Sequence, residues 1–194
     1  MSAKIYVNGK YYDKQEAKVS VFDHGFLYGD GVFEGMRSYN RLIFRLKEHI
    51  DRLYESAKAI KLQIPVKKQG MMGIVLKTVA INKLENAYIR LVITRGIGDL
   101  GLDPRKCFGK PSIIVIADNI TLYPEKYYKQ GLAIIIARTQ QNSVHALNPA
   151  IKSLNYLNNI MAKIEATESG REEAIMLDAK GYVTECTGDN IFII

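Results

Sequence analysis

The stretch "LNPAIKSLNYLNNIMAKIEATESG", residues 147–170, sets Lys152 just before a segment whose apolar spacing predicts a helix over 153–169. A helix start carries partial positive charge, so an ammonium gains little there. The same field, together with desolvation, lowers an amine's pKa, which is what a Schiff-base lysine requires. Taken alone, Lys152 also reads as an ordinary solvated lysine.

Schiff-base chemistry on pyridoxal phosphate needs further groups. A cation or backbone donors must hold the phosphate, and an acid must face the pyridine nitrogen. Arg52, in a helix expected over 47–60, and Glu185, in the second strand of a hairpin expected over 172–188, have the right chemistry. Their spacing leaves the plain readings open. Arg52 beside Asp51 is also a surface pair, and Glu185 is also a solvent-facing strand residue.

Other signals point away from competing chemistries. "GIGDLG", Gly96–Gly101, has the GxGxxG spacing after an expected strand, but Leu102-Asp103-Pro104-Arg105 and another strand follow. No crossover helix is left to bind a pyrophosphate, so the loop reads as a glycine-rich rim where backbone comes close to a ligand or neighbour. "FLYGDGVFEG", 26–35, lacks the lysine and hydroxyl of a phosphate-binding P-loop. Ser143 and Ser153 sit in no G-x-S-x-G elbow. His24, His49 and His145 are far apart, and Cys107 and Cys186 are the only cysteines, outside any CxxC. Neither a metal site nor a disulfide framework is expected.

The elements that must carry these residues follow from apolar periodicity. Short strands are expected over 3–8 and 17–22, and a hairpin over 31–39 and 42–46. Helices are expected over 47–60, with Ile50, Leu53, Tyr54, Ala57 and Ile60 on one face, and over 67–82. Strands follow over 87–95 and 111–117. The segment 120–130, polar, tyrosine-rich and containing Pro124, is expected to link a domain over 1–119 to one over 131–194. The second domain opens with a strand over 132–138 and contains the 153–169 helix and a hairpin turning at Asp178–Gly181.

Composition fits a globular protein: 47% of the 194 residues are apolar and 24% charged. The apolar runs are too short to span a bilayer and the N-terminus has no signal-peptide core, so a cytoplasmic protein without a membrane partner is expected. The formal charge of +7 raises nucleic acid as a partner. Yet acidic residues are mixed among the basic ones in "RLKEHIDRLYE" and "KIEATESGREE", which marks solvated helix faces, and nucleic-acid binding is not expected.

Several motifs together resemble the branched-chain amino acid aminotransferases of the class IV (fold-type IV) pyridoxal phosphate family. They are "YGDGVFEGMR" (28–37), "EHIDRL" (48–53), "AYIRLVITRG" (87–96), "IKSLNYL" (151–157) and "GYVTECTGDNIF" (181–192), and they occur in the family's order. The resemblance implies an α+β fold: a small two-layer α/β N-terminal domain and a larger β-barrel-like C-terminal domain. It implies that pyridoxal 5′-phosphate is held by Lys152 as a Schiff base, with Arg52 on the phosphate and Glu185 on the pyridine nitrogen. Tyr156 would lie near the cofactor's phenolic oxygen, four residues after the lysine where some members have five. Phe33, Gly35, Arg37, Tyr88 and Arg90 would shape the substrate pocket. Tyr28, also counted with that pocket, and the "GIGDLG" loop would come from a neighbouring subunit of a homodimer or higher oligomer.

The activity so implied is transamination between leucine, isoleucine or valine and 2-oxoglutarate, by ping-pong half-reactions with glutamate as the other amino acid. "FEG" and "YIR" favour this branch over the D-amino-acid aminotransferases and aminodeoxychorismate lyases, which share the lysine motif. A non-catalytic basic binding module is the alternative of a different class. Family members run on for about a hundred residues more, an ordinary domain increment, with "GITR"-like and "GTAAE"-like segments absent here. The chain is therefore expected to be truncated after the apolar "DNIFII", its C-terminal domain incomplete and its own activity low.

Overall fold

The computed structural model describes residues 3–120 and 123–194. The chain divides into two compact units, Met1–Ile120 with Ile151–Leu154, and Thr121–Ala150 with Asn155–Ile194. Lys152 thus belongs with the first unit, although the chain on both sides of its short segment belongs to the second.

The first unit is a mixed α/β layer pair. Its strands are β1 (Lys4–Val7), β2 (Lys10–Asp13), β3 (Gly31–Tyr39), β4 (Leu42–Ile43), β5 (Tyr88–Thr94) and β6 (Ser112–Asp118). They form one sheet in the order β2-β1-β6-β5-β3-β4. Between the strands come α1 (His24–Tyr28), α2 (Leu46–Ala59) and α3 (Lys68–Ile81). Alternation along the central strands sends Val32, Met36, Ile89, Leu91, Ile93, Ile113, Val115 and Ala117 to one face, where they pack with Ile50, Leu53 and Ala57 of α2 and Met71, Val75 and Val79 of α3. The antiparallel register of β3 and β5 pairs Gly35 with Arg90 and Arg37 with Tyr88. Those pairs point to the face opposite the helices, because a strand's side chains alternate.

The second unit contains α4 (Glu125–Gln130), β7 (Ile134–Ile136), α5 (Leu157–Glu168), β8 (Glu173–Leu177) and β9 (Val183–Cys186). Its sheet runs β7-β8-β9, with β7 parallel to β8 and β8 antiparallel to β9. Ala162 and Ala166 of α5, both fully buried, pack with Ala137, Ala174 and Met176. Such small side chains let the helix lie close to the strands. The hairpin turns at Asp178–Gly181 as expected: the Asp178 carboxylate accepts from the backbone N–H groups of Lys180 at 2.8 Å and Tyr182 at 2.9 Å, and Gly181 adopts φ +84°.

Three local expectations change. Residues 17–22 form no strand: the chain turns at residues 21–22 into α1, where the Asp23 carboxylate accepts from Gly25 N–H at 2.8 Å as the helix cap. The alternating Val19 and Val21 are consequently exposed. The helix expected over 153–169 starts at Leu157, because the backbone before it is taken by β3 and α2. Within the segment 120–130, read as a linker, residues 121–122 lie outside the described residues and α4 takes up Glu125–Gln130.

Because Leu53 is fully buried under the sheet and Leu42 is 77% exposed, their truncations separate core from surface. Leu53→Ala should cost about 2–5 kcal/mol and Leu42→Ala less than about 1 kcal/mol, read from urea unfolding midpoints.

Candidate functional site

Lys152 is held by its backbone before its side chain does anything. Phe33 N–H donates to Lys152 C=O at 3.0 Å, and Leu154 N–H donates to Gly31 C=O at 3.0 Å. Lys152 N–H donates to Ser56 Oγ of α2 at 3.1 Å. The segment therefore continues the sheet on the outer edge of β3, where Val32 and Ser153 form a bridge. Lys152 lies five residues before α5, not at its mouth, so the helix field invoked from the sequence does not act on it.

From this edge the Lys152 ammonium reaches the face of β3 that carries no helices. Its Nζ lies 4.9 Å from the centre of the Phe33 ring. The Arg90 guanidinium stacks over the same ring at 4.3 Å and stands 5.5 Å from the Tyr88 ring. Tyr88 in turn lies across Gly35: a Cβ built at residue 35 would be 2.8 Å from the tyrosine oxygen. Arg37 stands two residues further along, its guanidinium 5.8 Å from the Tyr39 ring and its Nε buried without a hydrogen-bond partner among the described residues. One face of one unit thus brings together Lys152, Phe33, Gly35, Arg37, Tyr88 and Arg90. Cations set against aromatic faces suit a ligand that is part anion and part hydrocarbon.

Arg52 is placed differently. Its Nε and one terminal nitrogen donate to the two Glu34 oxygens at 2.6 and 2.7 Å. Glu34 is completely buried on β3, and His49 Nδ1 lies 2.8 Å from its Oε2. A carboxylate only accepts, so His49 Nδ1 carries the proton and donates. Burial pushes the Glu34 carboxyl upward, but the hydrogen bonds and charges of Arg52 and His49 more than reverse this, leaving it below its ordinary value. These two bonds use two of the five guanidinium N–H groups.

Tyr28 ends α1, and its hydroxyl accepts from Gly101 N–H at 2.8 Å. His24 holds the same loop through Nε2 to the Asp99 carbonyl at 2.8 Å. The glycine-rich loop and Tyr28 are therefore one fixed assembly within the first unit.

In the second unit, Glu185 sits on β9 and accepts from Asn159 Nδ2 at 3.1 Å and from Gln141 Nε2. It opens onto a cavity of about 660 Å³ lined also by Gln141, His145, Asn148, Pro149 and Thr184. Tyr156 is the residue before α5, three positions from Asn159. An acid with amide support and a phenol are thus located on neighbouring elements of that unit.

Sequence reasoning missed Glu34, His49 and Ser56. Glu34 alternates with Val32, Met36 and Ser38 on β3, and His49, Arg52 and Ser56 follow helical spacing on α2, but neither pattern says that the two sets meet.

The chain is similar to known proteins over most of its length. Residues 31–194 match the model of the amino-transferase class IV family. The chain belongs to the class IV aminotransferases. A putative branched-chain-amino-acid aminotransferase of Methanocaldococcus jannaschii is 57% identical over 191 residues, covering 98% of this chain and 65% of that protein. The crystal structure of a branched-chain aminotransferase from the archaeon Thermoproteus uzoniensis with norvaline superposes with a TM-score of 0.91 at 34% identity, over 100% of this chain and 66% of that one. The branched-chain amino acid aminotransferase of Escherichia coli gives 0.91 at 29% identity, over 97% and 64%. This class IV chain therefore has the mixed α/β fold-type IV architecture and spans about 65% of the length of the curated relative. No helix among its described residues is long and apolar enough to cross a membrane.

The Glu34 carboxyl is held below 4.5, so its contribution to stability is present above that pH and is lost as pH falls through the lowered value. Glu34→Gln should destabilise the protein by about 1–3 kcal/mol at neutral pH. Urea unfolding across a pH series should show the gap between wild type and variant narrowing below pH 4.5.

Proposed function

We propose that the protein catalyses pyridoxal 5′-phosphate-dependent transamination between L-leucine, L-isoleucine or L-valine and 2-oxoglutarate, as a homodimer or higher oligomer. The observation that carries this reading is the placement of the Lys152 amine at 4.9 Å and the Arg90 guanidinium at 4.3 Å from one Phe33 ring. A reactive amine, an apolar wall and a carboxylate-binding group share one surface.

The donor set suits the cofactor. The buried, unpartnered Arg37 Nε supports a face built for an acceptor that the described residues do not supply. Lys152 would attach the cofactor covalently, Arg52 would hold its phosphate, Glu185 would pair with the protonated pyridine nitrogen, and Tyr156 would lie near the phenolic oxygen. When bound, the cofactor supplies an electron-withdrawing ring that stabilises negative charge at the substrate Cα.

The chain's own residues do the rest. Lys152 Nζ takes the substrate Cα proton as a general base and, as the ammonium so formed, gives up that same proton as a general acid. Phe33 and Tyr88 offer apolar and aromatic surface to a branched side chain and exclude water from it. Arg90 binds the distal carboxylate of glutamate or 2-oxoglutarate through paired N–H donors. The same pocket must accept both chemistries, because both half-reactions use one lysine. Arg90's position 4.3 Å from the centre of the Phe33 ring supports this, because it sets a carboxylate-binding cation beside an apolar wall. Gly35 leaves room for the Tyr88 hydroxyl, and Arg37 extends the cationic face. Tyr28 and its loop serve the neighbouring subunit's pocket.

Two measurements test this. Lys152→Ala should lower transamination at least about a hundredfold and abolish borohydride-dependent labelling of that position. Arg90→Ala should weaken the 2-oxoglutarate half-reaction by about ten- to a hundredfold, the value of a charged hydrogen-bond pair, while the L-leucine half-reaction changes little. Spectrophotometric half-reactions with L-leucine and D-alanine decide the stereochemical branch. Conversion by D-alanine alone would overturn the proposed substrate.

A further inference from the structure

Arg52 projects from α2 with its side chain 51% exposed, and an arginine so placed ordinarily samples many rotamers. Here it does not. Glu34, fully buried, grips Nε and a terminal nitrogen as a two-pronged acceptor at 2.6 and 2.7 Å, which fixes the guanidinium plane as well as its position. His49 occupies the carboxylate from a third direction at 2.8 Å and keeps it from rotating. One turn along the same helix, Ser56 Oγ accepts from the backbone of Lys152, and the backbone of Phe33, next to Glu34, donates to Lys152 C=O. Arg52 and Lys152 are therefore both registered to the same two elements, β3 and α2, through contacts centred on adjacent residues of β3.

A buried carboxylate beside a phosphate-binding arginine can act in two opposite ways. As a counter-charge it offsets the guanidinium and weakens its hold on an anion. As a clamp it removes the rotational freedom that anion binding would otherwise have to remove, worth up to about tenfold in affinity. The charge-offset role predicts that neutralising the carboxylate tightens anion binding; the clamp role predicts the reverse. The bidentate geometry, the third contact from His49 and the link to Lys152 favour the clamp.

We propose that Glu34 is a positioning residue for phosphate recognition: it holds the Arg52 guanidinium in the orientation that receives the cofactor phosphate, with His49 locking the carboxylate. This rests on the reading of Arg52 as the phosphate ligand. Glu34 itself touches neither substrate nor cofactor in this role.

The test compares pyridoxal 5′-phosphate with pyridoxal, which lacks the phosphate, in absorbance titrations of the apo-form of the protein as its gene encodes it. Wild type, Glu34→Gln, Arg52→Ala and the double variant are titrated in parallel. Glu34→Gln should bind pyridoxal 5′-phosphate about tenfold more weakly and pyridoxal unchanged, and inorganic phosphate should compete less well against the cofactor. In the Arg52→Ala background the Glu34 substitution should add nothing, because it acts through Arg52. Glu34→Asp, which keeps the charge but retracts it, should show a smaller loss of the same phosphate-selective kind, and serves if the glutamine variant does not fold. Equal or tighter cofactor binding by the folded Glu34 variants, or equal losses for pyridoxal and its phosphate, would overturn the clamp. If Arg52→Ala leaves cofactor affinity unchanged, the phosphate-ligand reading of Arg52 falls, and the clamp with it. A phosphate-selective loss in Arg52→Ala without one in the Glu34 variants removes the clamp alone.

Discussion

The outer edge of β3 carries the constraint on which the first unit's chemistry depends. Two backbone hydrogen bonds, Phe33 N–H to Lys152 C=O and Leu154 N–H to Gly31 C=O, extend the sheet by a segment of only four residues. Edge strands carry unsatisfied donors and acceptors, and here that demand is met by the stretch bearing the lysine. Strand pairing fixes the backbone closely, so the long, flexible lysine side chain starts from a rigid base. The Phe33 ring then limits where its ammonium can go.

The same strand sorts the charges of the unit. Its helix-facing positions include Glu34, a buried acid compensated by Arg52 and His49, whereas its other face presents Arg37 beside the Arg90 and Lys152 cations. A sheet separates these two sets by little more than its own thickness, yet each is stabilised differently. The acid relies on direct hydrogen bonds in a dry environment, where an unpaired charge would be costly. The cations stand against aromatic rings, whose faces attract positive charge.

Much of this was legible in the sequence because period and position agree. The alternation in "GVFEGMRSY" puts Phe33, Gly35 and Arg37 on one face, and the register with "YIRLVIT" adds Tyr88 and Arg90. The helical stripe of Ile50, Leu53 and Ala57 determined which side of α2 is buried. The errors arose where local pattern met a tertiary competitor. "SLNY" has a helix-compatible composition, but its backbone pairs with β3 through Leu154, so α5 starts at Leu157. Val19 and Val21 alternate like a strand, but Asp23 receives hydrogen bonds from Gly25, Thr94 and Ser112, and that buried cap bends the chain into α1. Glu34 was missed because a partner 18 residues away, Arg52, decides whether a strand glutamate is surface or core. No spacing rule contains that information.

Gly35 shows where the shape of the candidate pocket is stored. The Tyr88 hydroxyl occupies the space a β-carbon would need, so a side chain from β5 supplies the surface that β3 leaves out. The contour at that point belongs to two strands at once, and the residue that sets it presents no side chain of its own. Two relatives could therefore have identical pocket side chains and still differ in pocket depth, the difference residing in a single hydrogen atom on the neighbouring backbone.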